Sequence, residues 1–152
     1  MVEDFFFFWA HKLSHDFNFL YKYHKIHHEY DFVISLAAEY THPIDYVLGV
    51  LVIFYLFEIP SAMPFVLLGS RAHCFMLMFW QVWKIFVSSE GHCGFEFPFS
   101  PTRILPLVSG ASYHDFHHSK NVGNFAGSVY LWDTIMGTNH VYFDRLNQDE
   151  VR

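Results

Sequence analysis

Histidine is the residue type with the clearest chemical pattern in this sequence. Twelve histidines occur in 152 residues, against nine lysines and arginines together. Eight of the histidines form three short clusters: His11 and His15; His24, His27 and His28; and His114, His117 and His118. Residues three or four apart lie on one face of a helix, so each cluster is predicted to present its imidazoles together. Because imidazole binds iron, zinc and copper, the clusters predict a metal centre.

The spacing of these clusters is more specific than the histidine content alone. The second and third clusters share the pattern HxxHH, of which a random chain of this histidine content would hold only about 0.07 copies. Eight histidines on facing helices could give each of two metals about four ligands, as carboxylate and histidine motifs do in soluble di-iron bundles. A structural zinc site is the alternative, although it needs four ligands and usually includes cysteine. Ordinary buried histidines without a metal are a further alternative, which three repeated clusters disfavour.

Other side chains are weaker candidates for the same centre. His92, in the segment from Glu90 to Glu96, is predicted to be a ninth ligand, and Glu96 could add a carboxylate if that stretch is helical. His42 is expected to be structural or to support a ligand. His73 and His140 are not expected to reach the site. The acidic residues that adjoin the clusters could orient ligands, or could serve as ordinary solvated or capping groups; they are Asp16, Asp31 and Asp115.

The elements that must position these clusters are predicted to be helices, within one domain covering residues 1–152. The chain is 53% hydrophobic and 16% charged, whereas soluble domains average about 25% charged residues, so the composition favours contact with lipid. A net charge of −6 argues against a nucleic-acid-binding protein. Two cysteines, Cys74 and Cys93, are too few for a disulfide framework.

Residues 44–89 carry most of the hydrophobicity and predict an integral membrane helical hairpin. Two apolar runs, 46–57 and 72–87, are each somewhat shorter than the roughly 20 residues of a spanning helix, so a pair of buried core helices is the alternative. Lysines and arginines flank the hairpin on both sides; they are Lys12, Lys22, Lys25, Arg103, Lys120 and Arg145. This asymmetry favours a hairpin that returns to the cytosol, where the histidines would form a helical cap.

The three motifs, in this order, resemble the fatty acid hydroxylase/sterol desaturase superfamily. The resemblance runs from Glu3-Asp4 to Gly137-Thr138, and the segments 37–43 and 92–98 look most like C4-methyl sterol oxidases. It implies two irons held by the eight clustered histidines, with His92 as a further ligand. It also implies an O2-dependent oxidation of a sterol 4-methyl group at the endoplasmic reticulum membrane, with electrons from NAD(P)H through cytochrome b5 and its reductase.

Two other functions stay open beside this one. The first is a fatty acid or sphingolipid hydroxylase, or a sterol desaturase, of the same superfamily. The second is a truncated, non-catalytic metal-binding membrane protein, because family members usually have further membrane helices before the first motif and this sequence begins almost at that motif. The sequence indicates neither a substrate-binding residue nor a protein general base.

Overall fold

Helices make up all the regular structure that is described. A computed structural model describes residues 2–30, 34–51 and 74–150. Within these ranges the α-helices are α1 (Val2–Asp16), α2 (Asn18–His24), α3 (Pro43–Tyr46), α4 (Cys74–Gly91), α5 (Pro101–Ile104), α6 (Ala111–Lys120), α7 (Leu131–Met136) and α8 (His140–Glu150). The only strand-like pairing among these residues is one isolated bridge between Val108 and Val129. The predicted all-α class is therefore confirmed.

The N-terminal histidine segment is helical in separate pieces rather than as one helix. Glu3 and Asp4 lie in the first turn of α1, where acidic side chains stabilise the positive end of the helix dipole. Phe17 then adopts an extended conformation, with φ −103° and ψ 114°, which separates α1 from α2. A 3-10 turn over His27–Glu29 follows α2. These breaks turn the second cluster back toward the first.

One stripe of α1 forms much of the core near the histidines. Asp4, Phe8 and His11 are buried, and their spacing of four and three residues places them on one helix face. The Phe8 ring packs edge-on against Phe125, with ring centroids 6.3 Å apart. The Asp4 carboxylate accepts a hydrogen bond from the Ser128 backbone N–H at 3.3 Å. The start of α1 is thus held against the loop between α6 and α7.

The predicted hairpin lies largely outside the part of the chain that can be described. Its expected turn near residues 69–71, together with His73, falls in the segment 52–73, for which no structure is given. Pro43–Tyr46 is α-helical and Val47–Leu51 continues it as a π-helical turn, while α4 covers the second apolar run. Among the described residues, no helix combines the length and apolarity needed to cross a bilayer. The hairpin therefore remains a prediction.

Helix α4 nevertheless exposes an apolar face. Phe75, Met78, Phe79, Val82 and Ile85 are each about 60–66% exposed to solvent. Their spacing of three and four residues places them on one side of the helix. The opposite side turns inward, where Val87 and Glu90 are buried. The end of α4 leads directly to His92, so this helix delivers a histidine from its buried side.

Candidate metal centre

All nine predicted ligands converge in the structure, in two adjacent groups. Group A comprises His11, His15, His24, His28 and His117, and group B comprises His27, His92, His114 and His118. In each group, one nitrogen from every ring lies within 4.8 Å of the corresponding nitrogen of the others. His28 of group A stacks on His118 of group B, with ring centroids 4.4 Å apart. The two groups therefore lie directly beside each other, as the two sites of a dinuclear centre would.

Each HxxHH motif is divided between the two groups. In the second cluster, the first and last histidines, His24 and His28, belong to group A, whereas His27 belongs to group B. In the third cluster the division is reversed, because His117 belongs to group A and its two neighbours belong to group B. Relative to residue i of an α-helix, residue i+3 is rotated by about −60° and residue i+4 by about +40°, so these two side chains diverge to either side of the first. One short motif thus reaches both groups.

The nitrogen spacing in group B matches that of ligands around a metal ion. The Nε2 atom of His92 lies 3.2 Å from that of His27, 3.0 Å from that of His114 and 3.2 Å from that of His118. A metal with bonds of about 2.1 Å to nitrogen holds adjacent ligand atoms roughly 3.0 to 3.4 Å apart, from octahedral to tetrahedral geometry. The four side chains therefore fit a single transition-metal ion.

Group A contains buried nitrogens that need a partner. The Nε2 atoms of His11, His15 and His117 are buried and have no hydrogen-bond partner. The ring centroid of His15 lies 4.8 Å from that of His24 and 4.7 Å from that of His117. Buried polar atoms are nearly always satisfied, and several lone pairs that face one another repel. A cation between these nitrogens would satisfy all of them, so group A also fits a metal.

Backbone carbonyls fix the orientation of four of the rings. His11 Nδ1 donates to Phe125 O at 2.8 Å and His117 Nδ1 donates to Gly123 O at 2.6 Å. In group B, His92 and His27 donate in the same way to Ser88 O and Tyr40 O, at 2.8 and 3.2 Å. Because a carbonyl only accepts, each of these rings carries its proton on Nδ1 and directs the Nε2 lone pair at its group.

Asp45 orients the His24 ring in the same way, with a carboxylate in place of a backbone carbonyl. Its Oδ2 accepts hydrogen bonds from His24 Nδ1 and from the Thr41 hydroxyl, both at 2.9 Å. An ionised carboxylate behind a ligand histidine makes the ring a stronger donor to a metal. Asp45 is thus the carboxylate of group A.

Burial keeps the histidines neutral. It is the largest cause that lowers the pKa of His15 and of His27 to about 3, and neighbouring histidines add to the effect. The pKa values of six other members are lowered for the same main reason; these are His11, His28, His92, His114, His117 and His118. A metal ligand must be the neutral imidazole. These eight rings therefore offer deprotonated ligands at neutral pH.

The weaker sequence candidates lie away from both groups. Glu96 accepts a hydrogen bond from the Ser112 hydroxyl in the first turn of α6, and so supports that helix rather than a metal. His42 caps α3 by accepting from Ile44 N at 3.1 Å, and His140 donates to Gly137 O at 2.8 Å. Asp16 pairs with Lys12.

Of the two remaining acidic candidates, Asp115 belongs to neither group of possible metal ligands. Asp115 is partly exposed, and burial raises its pKa. Asp31 lies outside the described residues.

A cavity of about 220 Å³ opens beside group B. Its walls are largely apolar and include Phe7, Ile85 and Val87, and it reaches His92 and His114. Lys84 lines the same cavity, where its ammonium group pairs with Glu3 and donates to the Ser128 hydroxyl. An apolar cavity that ends at a group of metal-ligand side chains is suited to binding an apolar molecule.

Comparison with known proteins places this centre in a family. A model of the fatty acid hydroxylase family matches residues 1–138, which include all nine histidines. The chain belongs to the fatty acid hydroxylase family. No solved structure matches it significantly.

Relatives within the fatty acid hydroxylase family carry several activities in their names. The chain is 37% identical over 95% of its length to a Dictyostelium discoideum protein named among the methylsterol monooxygenases. It is 34% identical over 93% of its length to a very-long-chain aldehyde decarbonylase of Oryza sativa. It is 32% identical over 93% of its length to a C-4 methylsterol oxidase of Schizosaccharomyces pombe. The chain spans about half the length of these relatives, namely 50%, 51% and 45%.

Two features of this hydroxylase-family site were missed by the sequence reasoning. Asp45 lies 21 residues from His24, a separation at which no local pattern links two side chains. The carbonyl acceptors at Gly123 and Phe125 carry no side-chain signal at all. Both residues lie within the range of the family resemblance, which was the one available indication that this loop matters.

Proposed function

We propose that this chain is an O2-dependent di-iron lipid oxidase in which group A and group B each hold one iron. The observation that supports the proposal best is the meeting of two groups of largely buried histidines beside an apolar cavity. His11, His15, His24, His28 and His117 would hold one ion, and His27, His92, His114 and His118 the other. Bound iron would supply the activation of O2 and the oxidation of an inert C–H bond.

The donor set favours a catalytic pair of metals over a structural zinc. Structural zinc sites take four ligands and usually include cysteine. Here nine histidines are arranged in two groups, and the Cys93 thiol is instead hydrogen-bonded to Phe95 O. Imidazole accepts iron and zinc alike, and membership of the fatty acid hydroxylase family supports the choice of iron.

The protein's own residues would bind the metals, orient the ligand rings and shield the centre from water. Burial around both groups excludes water, and the carbonyl and Asp45 contacts hold the rings in one tautomer. The cavity reaches His92 and His114, so a substrate carbon would approach the metal of group B. Group A has five histidines and would bind its metal more completely than group B, which leaves group B the better place for an exchangeable ligand.

The substrate we propose is a sterol that carries a methyl group at C4. Relatives from two organisms carry names for methylsterol oxidation, which supports this choice. A long-chain lipid is the second candidate, because the aldehyde decarbonylase relative is just as well covered and the cavity is largely apolar. Fatty acid or sphingolipid hydroxylation and sterol desaturation fall in the same class. Cytochrome b5 with its reductase, fed by NAD(P)H, is the proposed electron source.

The location we propose is the endoplasmic reticulum membrane, with both histidine groups facing the cytosol. The exposed apolar face of α4 supports contact with lipid. The lysines and arginines on either side of the predicted hairpin support the orientation. One domain over residues 1–152 would contain the whole metal centre.

Elemental analysis of detergent-purified protein tests the proposal first. About two irons per chain are expected, and His27→Ala or His117→Ala should each lower the content to about one, because the two residues belong to different groups. Oxidation of a 4,4-dimethyl sterol should then require O2 and an electron donor. A single zinc that neither substitution affects, or two irons without O2-dependent turnover of any lipid offered, would instead indicate a non-catalytic metal-binding protein.

A further inference from the structure

The loop between α6 and α7, residues 121–130, holds group A by its backbone. It supplies the carbonyls of Phe125 and Gly123 to His11 and His117, two histidines on different helices. The direction of both Nε2 lone pairs therefore depends on where the loop places two carbonyl groups. Among the described contacts, no side chain of the loop hydrogen-bonds to a histidine ring, although the Phe125 ring packs against those of His11, His15 and His117.

The backbone of this loop is left-handed at two successive residues. Gly123 and Asn124 have φ values of +60° and +53°, in the left-handed region that disfavours most residues. A side chain at Gly123 would meet Thr138 O at 2.0 Å. Asn124 is fully buried and donates through its amide to Tyr113 O at 2.9 Å. Such a conformation persists only when its surroundings hold it.

Asp133 stabilises this conformation of the loop. Its carboxylate is fully buried and accepts hydrogen bonds from the backbone N–H groups of Phe125 and Ala126, at 2.9 and 2.7 Å. Thr138 donates its hydroxyl to the same carboxylate at 2.5 Å. The Ala126 N–H belongs to the same peptide group as the Phe125 carbonyl, which accepts the hydrogen bond from His11. Asp133 therefore fixes the carbonyl that orients His11.

We propose that Asp133 is a positioning residue for the metal of group A, acting through the loop carbonyls and not on the metal itself. The inference rests on the proposed metal binding. In group B, His27 and His92 donate instead to carbonyls outside this loop, those of Tyr40 and Ser88. Loss of Asp133 should therefore weaken one metal group and spare the other, a pattern that a general loss of stability would not produce.

Metal content of Asp133→Asn, measured on the full chain in detergent, tests this. The asparagine amide loses one acceptor and turns an N–H toward a loop N–H, so group A should bind about 10–100-fold more weakly. After competition with a chelator, the variant should retain about one metal per chain where the wild type retains two. Adding His15→Ala to this variant should remove nothing more, whereas adding His92→Ala should remove the remaining metal.

Two further variants separate positioning from folding. Thr138→Val keeps the shape and the charge of the site but removes one donor to Asp133, so it should weaken group A in the same direction and less, even if Asp133→Asn does not fold. Glu90→Gln alters another buried carboxylate, which accepts from Ser100 and Thr102, and should leave the group A metal in place.

Several outcomes would overturn the inference. They are retention of both metals at wild-type affinity in Asp133→Asn and Thr138→Val, equal loss from both groups, and the same selective loss in Glu90→Gln. The readout is metal content alone, so it does not depend on turnover. A wild type that binds two metals and oxidises no lipid would refute the proposed function while leaving the role of Asp133 standing.

Discussion

Acidification should destabilise the metal-free protein steeply. Eight of the nine grouped histidines have pKa values lowered mainly by burial. In the unfolded chain a histidine has a pKa of about 6.5 and takes up a proton that the folded state refuses. The unfolded state therefore binds more protons below that pH, and the free energy of unfolding decreases as the pH decreases.

The size of the effect follows from the number of buried rings. A histidine that stays neutral when folded loses about 1.4 kcal/mol of stability at a pH one unit below its unfolded pKa. For the eight rings together this amounts to at most about 11 kcal/mol near pH 5.5, which is comparable with the whole stability of an ordinary domain. We therefore expect the metal-free protein to unfold between about pH 6.5 and pH 5.

Urea unfolding in detergent, followed by circular dichroism at a series of pH values, measures this. Bound metal competes with protons for the same nitrogens, so the metal-loaded protein should stay folded to a lower pH. Replacing the half-buried ring of group A in His15→Gln should reduce the loss of stability on acidification, whereas His140→Gln, at an exposed ring outside both groups, should not. A free energy of unfolding that is the same near pH 7.5 and near pH 5.5, or an equal effect of the two substitutions, would refute the reasoning.

Three further predictions concern metal affinity, substrate access and metal removal. Asp45→Asn should weaken the group A metal about 10–100-fold in a chelator titration, while Asp16→Asn, whose carboxylate pairs with Lys12, should have little effect. Gly127→Ala would place a methyl group 2.9 Å from the Phe7 ring and push that ring toward the cavity, so lipid turnover should decrease while metal content stays at the wild-type level. Removing the metal with a chelator should lower the melting temperature at neutral pH, and an unchanged melting temperature would show that the groups are stable without a metal.

Local patterns predicted the residues of the centre better than their arrangement. The HxxxH and HxxHH spacings identified eight histidines, and His92 was found by its place after the second apolar run. The all-helical class also followed from the sequence. The division of each motif between two groups did not, because periodicity shows which residues share a face and not what that face meets. The break at Phe17 was equally hidden, since it separates two helices by only one residue.

The supporting contacts are long-range, which explains why they could not be read from the sequence. His24 is hydrogen-bonded to Asp45, 21 residues away in sequence, and His11 is hydrogen-bonded to the Phe125 carbonyl, 114 residues away. Contacts of this kind depend on the assembled fold and leave no periodic trace along the chain. Glu96 illustrates the converse, because its nearness to His92 in sequence suggested a ligand, while the folded chain uses it at the start of α6.

The division of the motifs has a consequence for how the centre assembles. Group A takes its histidines from α1, from the segment 24–28 and from α6. Group B takes its histidines from the same segment 24–28, from the residue that follows α4 and from α6. Two of these segments, each carrying one HxxHH motif, therefore belong to both groups. Each metal keeps its own set of histidines, but both sets are carried by the same two motifs. The repeated motif thus builds two neighbouring groups from shared segments, which separate single-face clusters would not do.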